Sequence, residues 1–455
     1  MQSLALYSLP VGTGLVAIPG ATEGYRVPKD AVAEAATLIF IAGWTLKHVW
    51  AADLTEAFRA LREVPCLAPL TCFVVWTFVT AFASPNRRFS STVEVNVVLF
   101  FLLYVLSYHE WNHARVRRWI ALVTLAAVLN GILMLLQRAK MPLGGYLSYE
   151  MSLPDRYRMA GFIGNPNDVG NYLVLAFLLT CAGALIARSW LPRVTCAIAL
   201  LFLCVLVVWT ETYTSIAALG AALLVSFALF AWMRPRLAFR VGSFVFLALL
   251  LGAAAAFWQL SKNPESRRLL RATVSAARAG HWNEALHGRY FPWRITADMI
   301  DDRPFLGHGP GTFSYIFFDY QLRFKAAHPG VVTQREYFDQ THNDYLQIAA
   351  EMGAPSLLLL GWVAVSFLWR AGSALKRAEA HAPARGQPAL RASKGAKREA
   401  SGLLSAQTVV PLLRIALLAA MLVGALAGFP FRLAVTMSLF VPVASMNLSS
   451  IKEES

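Results

Sequence analysis

The apolar residues of this chain arrive in long blocks separated by short polar breaks, and they do not alternate. A helix that crosses a bilayer needs about 20 mainly apolar residues. That length predicts spans near 4–20, 31–49, 64–82, 92–108, 118–137, 168–187, 193–210, 214–232, 240–258, 343–369, 409–428 and 431–447. The predicted class is an all-α polytopic membrane protein with about twelve transmembrane helices. Residues 1–258 would hold the first nine helices, 259–342 one large polar loop, and 343–369 the tenth helix. A basic linker, 370–408, would precede the last two helices and the tail in 409–455. The strands of a membrane β-barrel would show a two-residue period, which these blocks lack. Transporters often show two related halves with broken helices at matching positions, and no such repeat is visible.

Composition agrees with the blocks. The 455 residues are 57% hydrophobic and 15% charged. Soluble domains carry about 25% charged residues, so an ordinary soluble enzyme, a fibre and a disordered chain are excluded. The net charge of +15 would point to nucleic acid in a soluble protein. In a membrane protein the same excess marks cytoplasmic loops, and no nucleic-acid partner is expected. With a cytoplasmic N-terminus, Arg59, Arg62, Arg115, Arg117, Arg118, Arg188, Arg193, Arg234, Arg236 and Arg240 all fall on the cytoplasmic side. So does 370–408, rich in Ala, Lys and Arg, which reads as a mobile linker facing anionic membrane lipids. The C-terminus returns to the cytoplasm. The first 20 residues lack a basic region and a cleavage site, and read as a first span. The five cysteines all lie in apolar runs and read as small buried residues.

Candidate chemistry concentrates on the opposite, exported face. Within 259–342, the stretch from Ser261 to Trp282 reads as a surface helix with a basic face of Arg267, Arg268, Arg271 and Arg278. Those arginines meet lipid headgroups or guide an anionic substrate. Downstream, Pro292 is expected to begin a helix, with Arg289 just before it and Arg294 in its first turn, so that both reach one anion site at the helix N-terminus. Trp293 is expected at the membrane interface. Gly307, Gly309 and Gly311 form a turn that permits close backbone approach; it lacks the context of a nucleotide-binding loop. His342 and Asn343 stand where the loop becomes a helix, with Asn343 or Thr341 as its cap. A histidine there is apt as a general base, because its pKa lies near neutrality. Gln347 and Glu351 follow as a polar stripe one turn apart, expected to face the protein interior.

A second exported segment, 138–167, carries Arg156 and Arg158, then a turn and helix cap built from Asn165, Pro166, Asn167 and Asp168. Arg158 is placed to turn inward beside that helix start. Glu211, at the exported edge, reads as an interfacial cap or an arginine partner. No His-Glu-x-x-His, Asp-x-Asp or Cys/His cluster appears at this face, so neither a metal site nor another cofactor is expected. Several arginines and one histidine suit transfer from a lipid phosphate or pyrophosphate donor to a hydroxyl. Arginine is a multidentate clamp for a leaving diphosphate, and histidine takes the acceptor proton.

The ordered motifs R-x-x-G-F-x-G-N-P-N at 158–167, G-R-x-x-x-W at 288–293, P-F-L-G-H-G-P-G-T-F at 304–313 and H-N-x-x-L at 342–346 together resemble the O-antigen ligase/polymerase superfamily. The resemblance covers about residues 30–450. It implies a GT-C-like glycosyltransferase of the bacterial inner membrane with a periplasmic catalytic loop. Its donor would be an undecaprenyl-diphosphate-linked glycan. The family's loop histidine is matched by His342, its loop arginine by Arg289, with Arg294 as a further candidate, and the arginine ahead of the N-P-N turn by Arg158. Asn165, Asn167, Asn343 and Glu211 are the remaining candidate substrate contacts. Relatives often carry a Ser-Arg pair where this chain has Ser215 followed by Ile216. Within the superfamily the resemblance leans toward the lipopolysaccharide O-antigen ligases. The acceptor would then be a lipid A–core sugar hydroxyl, and transfer would be inverting and metal-independent. O-antigen polymerase and protein O-oligosaccharyltransferase remain open as alternatives, with a transporter of a lipid-linked anion as the different-class rival.

Overall fold

The computed structural model describes residues 1–18, 24–141, 159–233, 264–329, 338–380, 406–428 and 430–447. Among these the chain is helical throughout, without a strand. The helices are α1 (Gln2–Leu15), α2 (Val27–Trp50), α3 (Leu54–Ala60), α4 (Leu67–Phe82), α5 (Arg87–Ser107) and α6 (His113–Arg138). They continue as α7 (Pro166–Ile186), α8 (Trp190–Trp209), α9 (Tyr213–Met233), α10 (Pro264–Arg278), α11 (Trp282–Ala285) and α12 (Tyr290–Asp302). The remainder are α13 (Phe313–Ala327), α14 (Asp344–Met352), α15 (Ala354–Ala380), α16 (Ala406–Gly424) and α17 (Ala434–Ser445).

Eight of the described helices are long and apolar enough to cross a membrane, or nine if the bent pair Leu54–Glu63 and Leu67–Phe82 counts as one span. The protein is a multi-pass membrane protein. The expected count of twelve is not reached among the described residues, for identifiable reasons. The span expected at 240–258 lies outside them. The first, α1, has 14 residues and stops at an extended Val16, giving about 21 Å of helix against a hydrocarbon core of about 30 Å. The last, α17, has 12 residues. The expected span 343–369 is broken at Gly353 into α14 and the longer, apolar α15.

Burial ranks the spans. In α7, 72% of the best apolar stretch is buried, against 22% in α8 and 11% in α15. Helix α7 is therefore the central post, packed on α6, α8, α9, α16 and α17. Its start is fixed locally. Asn165 caps it by accepting from the Asn167 N–H at 2.8 Å, and Pro166 suits its first turn. The peripheral helices turn Leu201, Leu224, Leu358 and Trp369 outward, the apolar surface a bilayer covers. Cys72 is exposed on α4, which corrects the expectation that every cysteine is buried. An apolar run in a membrane protein faces lipid as readily as core.

The described connections gather at two ends. At one end, the Lys29 ammonium donates to the carbonyls of Val16, Tyr25 and Phe162. Ser84 reaches the His308 carbonyl, and Asn343 reaches Leu426. At the other end, Tyr104 donates to the Pro65 carbonyl, Glu110 pairs with Lys47 and Arg115, and Trp111 donates to Ser445.

Candidate functional site

His342 sits in a short link whose neighbours are held from three directions. Its own backbone is left-handed, with φ +55, a region uncommon outside glycine. On one side, the Trp293 indole N–H donates to the Thr341 carbonyl at 2.9 Å. On the helix side, Asn343 caps α14 by accepting from the Leu346 N–H at 3.1 Å. The Thr341 N–H donates to Gln347 at 3.2 Å, and the Thr341 hydroxyl donates to the Asn343 carbonyl at 2.7 Å. The third support is the connection between α16 and α17. The Asp344 N–H donates to Ala425, the Asn343 amide to Leu426, and the Tyr345 hydroxyl to Leu422. Asn343 is thus the cap, and Thr341 braces it.

Below this link lies a buried ion cluster. Arg432 donates to Glu351 at 2.6 Å and lies 3.4 Å from Asp344. Glu351 and Asp344 are 1% and 0% exposed. Burial opposes the Arg432 charge, but Glu351 and Asp344 together hold its pKa above the ordinary guanidinium value. Glu351 also accepts from Gln347 at 3.1 Å and from the backbone N–H groups of Gly311 and Phe313. Its carboxylate therefore ties α14, the glycine turn and the α16–α17 connection into one unit.

The glycine turn allows close approach, as its spacing predicts, and what approaches is α14. His308 N–H donates to Ala350, Gly309 N–H to Glu351, and Ala354 N–H to Pro304. A Cβ on Gly307, at φ +63, would lie 2.4 Å from the Glu351 carbonyl. One on Gly353, at φ +73, would lie 1.9 Å from the Phe305 oxygen. Both positions require glycine on space and on backbone conformation. Gly353 also ends α14 and so breaks the expected span. Glu351 faces the interior, as its polar stripe predicts.

The predicted residues separate into groups. Arg289 is the N-cap residue of α12, whose helix begins at Tyr290, two residues ahead of the expected Pro292. Its carbonyl accepts from the Trp293 N–H at 3.1 Å, so the two residues are one turn apart on the same face. Trp293 is turned to Thr341 instead of serving only as an interfacial anchor. Arg294 follows by one residue, is exposed, and makes no hydrogen bond or ion pair with the described residues. Asn165 and Asn167 form a second polar group. The Thr212 hydroxyl donates to Asn167 at 3.3 Å, and the Ser215 hydroxyl donates to Asn171 at 3.0 Å. Gly424, at the end of α16, and Gly428, in the connection that supports His342, pass close to Asn171. Glu211 adopts φ +51 between α8 and α9 and makes no side-chain hydrogen bond or ion pair among the described residues. Arg156 and Arg158 lie outside the described residues. Arg267, Arg268, Arg271 and Arg278 are exposed on α10, away from any described pairing with His342.

Arg432 and Asp344 escape the sequence argument. The available signal is a lone arginine in the short break before the last apolar run, at the end that the sequence reading sets opposite the basic loops. Arg138 is a second omission. It stacks over Trp209 at 4.4 Å and donates to Met159, a few residues ahead of the N-P-N turn.

Residues 198–361 match the family model described as O-antigen ligase. The match contains Glu211, Arg289, Arg294, His342 and Asn343, while Arg158, Asn165 and Asn167 lie ahead of it. A comparison with curated proteins found no match to the chain. The matched stretch and the apolar helices support the O-antigen ligase/polymerase superfamily, which implies a membrane glycosyltransferase-like enzyme of ligase or polymerase type.

Proposed function

We propose that this protein is an O-antigen ligase of the bacterial inner membrane, with the His342 end in the periplasm and both termini in the cytoplasm. It transfers a glycan from an undecaprenyl-diphosphate donor to a sugar hydroxyl of lipid A–core. The family implies a lipid-linked sugar donor and a lipid acceptor; the particular donor and acceptor are our reading. The observation that carries it is the mounting of His342. A histidine on a left-handed backbone is braced by Thr341 and Asn343 beside the first turn of the helix that Arg289 begins. Strained backbone of this kind costs about 1–3 kcal/mol and clusters at functional sites.

In the proposed reaction the His342 imidazole takes the proton of the acceptor hydroxyl. The oxygen then attacks the anomeric carbon from the face opposite the diphosphate. The carbon–oxygen bond to phosphate breaks, and its electron pair leaves with undecaprenyl diphosphate, which inverts the anomeric centre. Arg289 and Arg158, with Arg294 as an outer contact, neutralise the leaving group. Asn165, Asn167, Asn343 and Glu211 orient sugar or phosphate oxygens. No metal step is required, because histidine supplies the base and arginine the positive charge.

The test is transfer by the purified full-length protein with lipid-linked donor and lipid A–core. His342→Ala is expected to lower the rate by about 10²–10⁴-fold, the usual worth of a general base, with unchanged membrane insertion. Normal transfer by that variant sinks the general-base role. Loss of transfer with EDTA, restored by a divalent metal, sinks metal independence. Transfer to growing glycan in place of lipid A–core would make the protein a polymerase.

A further inference from the structure

The end of the bundle opposite His342 contains a cavity of about 530 Å³ between α4, α5, α15, α16 and α17, within the roughly 300–1,000 Å³ of small-molecule sites. Its floor is Arg414, which is 8% exposed. That guanidinium donates to two carbonyl oxygens, Val443 at 3.1 Å and Met446. Both acceptors lie at the C-terminal end of α17, where the helix dipole is negative. Neither is a full countercharge, and Arg414 forms no ion pair with a described residue. A guanidinium has five donors, so these bonds leave part of it open to another acceptor.

Two further arginines line the mouth. Arg370 and Arg377 are exposed and seven residues apart on α15, a spacing that puts both on one face. Arg370 also forms no ion pair with a described residue. No lining residue is a carboxylate. The sequence that follows α15, 381–405, adds five Lys or Arg against one Glu. A buried charge without a counterion carries a desolvation cost, and an anion in this cavity offsets it.

The remaining walls select the kind of anion. Phe367, Ala371 and Ala374 give the cavity an apolar flank on α15. Beyond them α15 turns Trp362, Val365 and Trp369 outward, with only 11% of its apolar stretch buried. A phosphate among the arginines could therefore continue into acyl chains lying along this helix. A free phosphate would leave that apolar wall unused. Basic pockets between membrane helices are the usual receptors of anionic lipid headgroups.

We propose that this cavity binds the phosphate of an anionic phospholipid, with Arg414 at its floor, Arg370 and Arg377 at its mouth, and the acyl chains along α15. The site is separate from His342, and the proposal does not depend on the transfer reaction.

The probes are phosphatidylglycerol, phosphatidylcholine and inorganic phosphate, each added to delipidated full-length protein in neutral detergent. Native mass spectrometry counts retained lipid, and displacement of a fluorescent phosphatidylglycerol gives Kd. Phosphatidylglycerol is expected to be retained in preference to phosphatidylcholine. Arg370→Ala and Arg377→Ala, both at exposed positions, are each expected to weaken it about five-fold, and the double variant about 25-fold. Equal retention of phosphatidylcholine overturns the proposal, as does an unchanged Kd in the double variant. Displacement by inorganic phosphate at the lipid's own concentration overturns the lipid assignment in favour of a free phosphate.

Discussion

At one end of the bundle Arg432 lies between two buried carboxylates, Glu351 and Asp344. At the other end Arg414 is more deeply buried and, among the described residues, meets carbonyl oxygens alone. The same side chain serves two different tasks. Where acidic partners are present, the arginine is spent on architecture: it joins α14, the glycine turn and the α16–α17 connection. Where none is described, the positive charge is the feature on which the proposed lipid phosphate rests. The same test separates arginines within the His342 end. Arg432 belongs to the frame, whereas exposed Arg294 has no acidic partner among the described residues. An arginine near a site is therefore not evidence of substrate contact until its carboxylates have been counted.

The strongest way to break this comparison is to remove Arg432. Arg432→Ala leaves Glu351 and Asp344 buried without their cation, and breaking a buried pair by deleting one partner costs about 3–5 kcal/mol. Denaturation of the purified protein should show that loss, and transfer should fall with it because the His342 link loses its foundation. Arg432→Lys should recover only part of the stability, since one ammonium does not reproduce the guanidinium fork toward two carboxylates. Unchanged stability in Arg432→Ala would mean that the cluster is not a frame.

A smaller change sharpens the distinction between frame and chemistry. Trp293→Phe keeps the ring but removes the donor to the Thr341 carbonyl. One hydrogen bond contributes about 0.5–1.5 kcal/mol. Misplacing a reacting group by about 1 Å can cost about 100-fold in rate. The expected result is therefore a modest loss of stability with a larger loss of kcat. Equal, small losses in both would show that the tryptophan only packs.

How much of this was legible in the sequence depends on the range of the interaction. Capping is local, so the N-P-N turn and the Asn343 cap could be read from neighbouring residues. The close approach at Gly307, Gly309 and Gly311 was legible as a turn, but its partner was not, because α14 lies some 40 residues further along. The twelve-span count failed to foresee the break at Gly353. Hydropathy sums across a glycine without sensing that its φ is positive or that Phe305 approaches it. The Arg432 cluster was invisible for the same reason. Asp344 looked like a first-turn helix residue, and its partner lies 88 positions away. The basic cavity drew on residues that the topology argument had already used: a charge rule assigns Arg370 and Arg377 to a side of the membrane without asking what they face.

The glycine turn supplies a pH-dependent test of the frame. The His308 ring nitrogen Nε2 lies 3.1 Å from the Met299 carbonyl, an arrangement for a neutral ring that donates there. Burial lowers the His308 pKa, with Arg303 adding to the effect, while the Met299 hydrogen bond and Asp302 oppose it. Because the folded pKa is depressed, the unfolded chain binds more protons once pH falls through the ordinary histidine value of about 6.5. The contribution is therefore present above that value and is lost as pH falls below it. Protection from hydrogen exchange across 304–327, measured relative to the intrinsic base-catalysed rate at each pH, should fall between pH 7.5 and 5.5, and His308→Gln should flatten that dependence. A slope unchanged by His308→Gln would assign it to another group.

The smallest expected effect tests the comparison most directly. Arg289 and Arg294 are five residues apart, and the motif alone allows either to meet the diphosphate. The helix they share does not treat them equally. Arg289 lies one turn before Trp293, on the face that reaches Thr341, while Arg294 is rotated about 100° from Trp293 by a single helical step. Arg294 is exposed and outside the frame, so Arg294→Ala should leave stability unchanged and lower kcat/KM by only about two- to five-fold, the worth of a solvent-screened outer contact to the diphosphate. Arg289→Ala should lower kcat/KM by about 10-fold or more, as expected for a lost charge-assisted contact to phosphate. The two variants measured side by side, with donor and acceptor varied separately, decide the matter. A larger loss in Arg294→Ala, confined to donor dependence, would show that proximity to the braced link is the wrong criterion and that the diphosphate lies on the outer face of α12.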